Sequence, residues 1–79
     1  MTMLGRHVYR VYPAGDGWMV TKEGEERSRG EFSSREAAIA TAVRSAEADE
    51  PAKVMIETGD GTIANEWLFG TDPVEELSN

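Results

Sequence analysis

Basic and aromatic side chains are interleaved in the first part of the chain, and this combination is the best candidate for chemistry. Cations contact phosphates and aromatic rings stack on bases, so a sheet that carries both can bind nucleic acid. Acidic residues lie on the same strands and turns, at positions 23, 25, 26 and 31. Cross-strand ion pairs therefore explain the arginines equally well. The predicted nucleic-acid or partner surface consists of Tyr9, Arg10, Tyr12, Lys22, Arg27 and Arg29.

The sequence contains no recognisable catalytic or metal-binding pattern. It has one histidine, His7, and no cysteine, which excludes a His-rich metal site and a thiolate site. The adjacent acids Glu25-Glu26, Asp49-Glu50 and Glu75-Glu76 fall in turns or in the tail, where water keeps both carboxylates ionised. The two Gly-Asp-Gly runs lack the spacing of calcium and phosphate loops. We expect no catalytic, cofactor-binding or metal-binding residues, and an enzyme is the least favoured class.

Charge is unevenly distributed along the 79 residues, whose formal net charge is −7. Residues 1–44 hold seven Lys and Arg against six Asp and Glu, whereas residues 45–79 hold one against nine. An acidic excess opposes binding to phosphate backbones and to anionic lipid. Nucleic acid is therefore a disfavoured partner, and a membrane is not expected. The lack of cysteine and of a long apolar segment favours a cytoplasmic location.

Turn residues separate the chain into short runs with distinct periodicity. Ser33, followed three residues later by Glu36, forms a capping-box pattern that predicts a helix from Ser34. Alanines favour that helix, and Asp49-Glu50-Pro51 ends it, because the residue before proline avoids the helical region. Runs of β-branched and aromatic residues predict strands. The predicted strands are His7–Tyr12, Trp18–Lys22, Arg27–Phe32, Lys53–Glu57 and Thr62–Phe69.

The order β-β-β-α-β-β predicts a two-layer α+β domain, in which one helix packs across one face of a mainly antiparallel sheet. The domain is expected over residues 1–73, with a flexible acidic tail over 74–79. Apolar residues alternate onto both faces of the first and last strands, and one helix covers only one face. This pattern indicates an interface on the uncovered face or at an edge strand, although scattered exposed apolar residues are also common. The predicted self-association residues are Trp67, Leu68 and Phe69.

The segment from Trp18 to Val43 resembles the arm-type DNA-binding domains at the start of phage integrases. Those domains share a Trp-x-Val strand, a basic strand, and a helix that starts with Glu-Ala. In this chain the second and third strands are more acidic, and two further strands follow the helix. The resemblance therefore implies a shared arrangement of three strands and a helix, and places no DNA-binding residue.

A second resemblance covers most of the chain. Its motifs are Gly-Trp-Met-Val from Gly17, Ser-Ser-Arg-Glu-Ala from Ser33, Gly-Asp-Gly-Thr-Ile from Gly59 and Phe-Gly-Thr-Asp-Pro from Phe69. In their order and spacing they resemble a family of short bacterial proteins known only as a domain of unknown function, DUF2188. Phe69 stands where that family usually has Tyr. The resemblance supports the predicted order of elements and implies no activity. We expect a small, non-enzymatic interaction or accessory domain, whose partner is another protein or a second copy.

Overall fold

The computed structural model describes residues 6–70. It confirms the predicted α+β class and the order of three strands, one helix and two strands. The acidic tail predicted over 74–79, and the Asp-Pro pair at 72–73, lie outside the described residues. The elements are β1 (His7–Ala14), β2 (Gly17–Lys22), β3 (Gly30–Phe32), α1 (Arg35–Glu47), β4 (Ala52–Glu57) and β5 (Ile63–Phe69).

Within residues 6–70, a five-stranded sheet in the order β3-β2-β1-β4-β5 forms one of the two layers. β1 is the central strand and pairs antiparallel with β2 and parallel with β4. The β2–β3 and β4–β5 pairs are antiparallel. Because two parallel neighbours need a long connection, β4 can lie beside β1 only after the chain has crossed the sheet through α1. The helix packs chiefly on β1 to β4, which leaves β5 at the margin of the covered face.

The helix begins one residue later than the capping-box pattern predicts. Ser34 is the N-cap in place of Ser33, and its Oγ accepts a hydrogen bond from the amide of Ala37 at 3.1 Å. Glu36 therefore occupies the second helical position, where it cannot complete the predicted capping box. The predicted box was wrong because two adjacent serines can each act as a cap, and the local pattern alone does not choose between them.

Alanine forms the face of α1 that lies on the sheet. Ala38, Ala42 and Ala46 recur every four residues, and all three are fully buried. Because alanine has no side chain beyond Cβ, the helix can approach the sheet closely, and larger side chains from the strands fill the layer between them. The buried core consists of Tyr9, Val11, Val20, Ala38, Ala42, Ala46, Ala52, Val54 and Ile56.

Candidate interaction surface

The apolar side chains that remain exposed are concentrated on β5. Among residues 6–70, three large apolar side chains are exposed: Ile63 by 39%, Trp67 by 36% and Leu68 by 60%. All three belong to this edge strand, whose last residue, Phe69, packs partly against the core. The opposite edge strand, Gly30–Phe32, has only three residues. A long edge strand with apolar side chains offers both unpaired backbone groups and apolar area to a partner.

The register of β5 distributes its side chains over both faces of the sheet. Trp67 pairs with Val54, which is buried beneath the helix, so Trp67 lies on the helix side. Leu68, the next residue, lies on the open face. Strict alternation would place Ile63 on the same face as Trp67, but the strand is irregular between Ile63 and Asn65. A register shift pairs Ile63 with Glu57, a residue of the open face.

Hydrogen bonds hold both ends of β5 in place. In the loop that leads into the strand, Asp60 Oδ1 accepts from Thr58 Oγ1 at 2.6 Å and from the Thr62 amide at 3.0 Å. These bonds lower the pKa of Asp60 to about 2. At the other end, Arg6 Nη1 donates to the carbonyl oxygen of Phe69 at 2.7 Å. The strand is therefore fixed by contacts that leave its outer edge uncovered by any described residue.

One amide of β5 bonds to a side chain of its own strand. The backbone N–H of Glu66 donates to Asn65 Oδ1 at 2.9 Å, and the Glu66 carboxylate pairs with Lys53 Nζ at 3.1 Å. A strand amide that is bonded in this way is not engaged with the neighbouring strand. Asn65 therefore satisfies a donor at the outer edge and competes with any incoming strand for it.

The open face of the sheet is a mixture of ion pairs and apolar side chains. Arg10 donates to Glu23 Oε2 and Glu57 Oε2, each at 2.6 Å. Tyr12 and Met55 lie beside this network and are half-buried. An apolar patch was expected on the uncovered face, and the charged network divides it. The β5 edge is therefore the better surface for an apolar partner.

Asp49, just beyond the end of α1, is the centre of a polar cluster on the helix side. Its Oδ2 accepts from the Tyr9 hydroxyl at 2.8 Å and lies 2.7 Å from Lys22 Nζ, while His7 Nε2 is 3.7 Å from Oδ1. The hydrogen bonds from Lys22 and Tyr9 hold the pKa of Asp49 below its ordinary value. Burial, and then the bond to Asp49, raise the pKa of Tyr9. Lys22 Nζ and Arg29 Cζ also lie over the Tyr9 ring, 5.7 and 5.6 Å from its centroid, at cation–π distance.

The structure does not bring the six predicted surface residues together on one face. Tyr9 is only 1% exposed, so its ring is not open to stacking on a base. Most of the cations are already engaged, because Arg10, Lys22 and Arg29 each form an ion pair with a carboxylate. Tyr9, Lys22 and Arg29 lie on the helix side, Arg10 and Tyr12 on the open face, and Arg27 in the connection before β3.

Two open clefts lie away from β5. One, of about 570 Å³, lies beside the β1–β2 turn and is lined by Trp18 and Phe32. The other, of about 460 Å³, lies between β2 and the end of α1 and is lined by Lys22, Arg29 and Arg44. Across residues 6–70, no three His, Cys, Asp or Glu side chains are grouped to hold a metal ion. Within the same range, no helix combines the length and apolar character needed to cross a membrane.

Asp49, at the centre of the polar cluster, and Asn65, on β5, are two side chains that sequence reasoning missed. Asp49 was interpreted as half of a solvated acidic pair, yet its partner Tyr9 is 40 residues away in the chain, a separation that no local pattern reports. No role was predicted for Asn65. The sequence did contain a signal for this residue, because asparagine is depleted in strands and commonly bonds to the backbone near it.

Comparison with known proteins places this chain in a bacterial context. A family model described as "Uncharacterized protein conserved in bacteria (DUF2188)" matches residues 9–69. This match confirms the resemblance drawn from the sequence motifs. No curated protein and no solved structure matches the chain.

Proposed function

Because the chain belongs to the DUF2188 family of uncharacterized bacterial proteins, we propose its function from its own surface. It is a small non-enzymatic interaction domain that receives a partner's β-strand at the outer edge of β5. The observation that carries this proposal is the concentration of exposed apolar side chains on that strand: Ile63, Trp67 and Leu68. Natural edge strands are usually short, charged or covered. β3 is short, whereas β5 has seven residues.

Strand addition divides affinity and specificity between two kinds of contact. Main-chain hydrogen bonds along β5 provide affinity, and side chains on alternate faces select the partner. Trp67 on the helix side and Leu68 on the open face would contact opposite faces of the added strand. A partner strand with apolar residues on both faces fits this edge best.

A photo-crosslinking amino acid tests the proposal in cells. It is placed at Leu68, on the proposed docking strand, or at Glu31, which is exposed on the opposite edge strand. We expect adducts from position 68 and few from position 31. Equal adducts at the two positions, or none at position 68, would remove the proposal. The adduct masses distinguish a second copy of the chain from a different protein.

A nucleic-acid-binding module is the alternative function, and the cleft lined by Lys22, Arg29 and Arg44 favours it. The ion pairs of Lys22 and Arg29 and the net charge of −7 oppose it. It predicts a salt-sensitive interaction that charge reversal at Arg27 and Arg29 abolishes. Amide NMR spectra recorded with a pool of DNA and RNA at low salt test it. An unchanged spectrum under these conditions would exclude it.

The states of two carboxyl groups weigh against their acting as proton donors. Asp49 and Asp60 both have pKa values below the ordinary range because hydrogen-bond donors hold them ionised. A carboxyl group that acts as a proton donor near neutral pH needs a raised pKa. Both groups instead fix the ends of elements. A cytoplasmic location stays a prediction that rests on the cysteine-free composition.

A further inference from the structure

The structure shows which residues of β5 direct their backbone N–H and C=O groups to the outer edge of the sheet. Because the Glu66 amide bonds to Asn65 Oδ1, it is directed away from β4. Residues along an antiparallel strand alternate between bonding to one neighbour and bonding to the other. Leu68, two residues on, therefore also directs its backbone groups outward, while Trp67 and Phe69 bond to β4. An added antiparallel strand must meet the groups of Glu66 and Leu68.

We propose that the incoming strand is β5 of a second copy of this chain, paired antiparallel about a two-fold axis at Trp67. This inference rests on the proposed function, since it names the partner of the same edge. Both β5 strands then join two sheets into one continuous sheet of ten strands. The two helices lie on the same side of it, because the axis is perpendicular to the sheet.

A two-fold axis at any of four residues of β5 satisfies this alternation of backbone groups, and other features of the strand distinguish among the four. Pairing about Glu66 sets two like carboxylates directly opposite each other, which is destabilising. Pairing about Asn65 requires regular hydrogen bonds at Ala64, where the register shift interrupts the strand. Pairing about Leu68 leaves little of the strand to pair, because β5 ends one residue later. Pairing about Trp67 uses the regular part of the strand and places no like charges opposite each other.

Side-chain contacts are also complementary about Trp67. The two Trp67 side chains meet at a non-hydrogen-bonded pair, where side chains of antiparallel strands lie closest, and stacked aromatic rings are favourable there. On the open face, Glu66 of one copy faces Leu68 of the other and keeps its own ion pair with Lys53. Asn65 must release the Glu66 amide, so its side chain limits the affinity of the pair.

Net charge gives the association an identifiable salt dependence. Each copy carries a formal charge of −7, so the two copies repel each other over long distances. Salt screens this repulsion while leaving apolar contacts and strand hydrogen bonds in place. Self-association should therefore strengthen between roughly 0.05 and 0.5 M salt, whereas binding to a nucleic acid weakens over such a range.

Sedimentation analysis of the purified full chain tests whether the copies associate through strand pairing. Leu68→Ala removes the side chain alone, and Leu68→Pro also removes the backbone N–H. Because this N–H faces outward, proline at this edge position leaves the hydrogen bonds between β5 and β4 in place. Two N–H donors are lost per dimer, so we expect Leu68→Pro to weaken association at least about tenfold more than Leu68→Ala. Equal weakening by the two variants, or a wild-type chain that stays monomeric at high concentration and high salt, would overturn the inference.

Single cysteines test the register, because the natural sequence has none. Under mild oxidation, Trp67→Cys should form a disulfide-linked dimer fastest, since only the residue on the axis lies opposite its own copy at disulfide distance. Asn65→Cys, Glu66→Cys and Leu68→Cys report the three competing centres, and a faster reaction at any of them would refute this register. A monomeric chain whose photo-crosslinker at Leu68 still captures a different protein would refute the second copy and leave the proposed function standing. A monomeric chain that also gives no crosslinked adduct from Leu68 would refute both the second copy and the proposed function.

Discussion

Removing the Tyr9 hydroxyl tests whether the Asp49 cluster holds the end of α1 to the sheet. Tyr9→Phe keeps the buried ring and deletes a 2.8 Å hydrogen bond to a carboxylate. Hydrogen bonds to charged groups contribute about 1.5–3 kcal/mol. Asp49 is 30% exposed and keeps Lys22 at 2.7 Å, so we expect the lower end, about 1.5 kcal/mol. For a domain of this size, that loss lowers Tm by about 6–12 °C.

Tyr12→Phe is the matched control, because it deletes a hydroxyl that makes no hydrogen bond with residues 6–70. We expect it to change the free energy of unfolding by less than about 0.5 kcal/mol. Urea and thermal denaturation, followed by circular dichroism at pH 7, measure both variants. Equal effects of Tyr9→Phe and Tyr12→Phe would contradict the role given to the cluster.

The stability lost in Tyr9→Phe should depend on pH in a definite way. The folded-state pKa of Asp49 is lowered, so its contribution is present above its unfolded pKa, near 3.8, and is lost as pH falls through the folded value. The folded-state pKa of Tyr9 is raised, so its contribution is present below pH 10 and is lost as pH rises through the folded value. The difference in stability between wild type and Tyr9→Phe should therefore be greatest between these limits. A difference that stays constant from pH 7 to pH 2 would refute this account.

Two further substitutions, each with a matched control, test the helix. Ser34→Ala should destabilise the protein by about 1 kcal/mol because it removes the N-cap acceptor, whereas Ser33→Ala should have little effect. Urea denaturation measures both losses. A larger loss for Ser33→Ala than for Ser34→Ala would restore the capping box predicted from the sequence. Ala42→Leu should cost about 1–3 kcal/mol because the position is fully buried against the sheet. Leucine at the exposed Ala40 should be nearly neutral in the same assay, since both residues favour helix; similar losses at the two positions would contradict the packing.

The order and type of the elements could be predicted from the sequence, but their arrangement in the sheet could not. The third strand was predicted from Arg27 and begins only at Gly30, because the chain bends at the polar residues before it. Strands and the helix follow from periodicity and turn residues within a few positions of each other in the chain. The parallel pairing of β1 with β4 depends on how α1 crosses the sheet, and no residue in either strand specifies it. For the same reason Arg6, far from β5 in the chain, gave no sign that it would bond to the last carbonyls of that strand.

The candidate site was predicted in part. Trp67 and Leu68 were identified because an apolar residue on each face of one strand cannot be covered by one helix. The grouping of Tyr9 with Arg10 was inconsistent with alternation, since adjacent strand residues point to opposite faces, and the structure separates them. Asp49 was missed because its partners, Tyr9 and Lys22, come from β1 and β2.

The composition of the core suggests why an edge partner matters to this protein. Four of the nine buried core residues are alanine, and alanine contributes little apolar area, so a domain of this length has limited stability on its own. A partner that binds only the folded chain stabilises it by mass action. If β5 pairs with a second copy, each tenfold rise in protein concentration above the dissociation constant adds about 0.7 kcal/mol per chain, or about 3–6 °C in Tm. Calorimetry over a hundredfold concentration range should show this rise for wild type and a smaller rise, beginning at higher concentration, for Leu68→Pro. A wild-type Tm independent of concentration would mean that the small core holds the fold without help from a second copy.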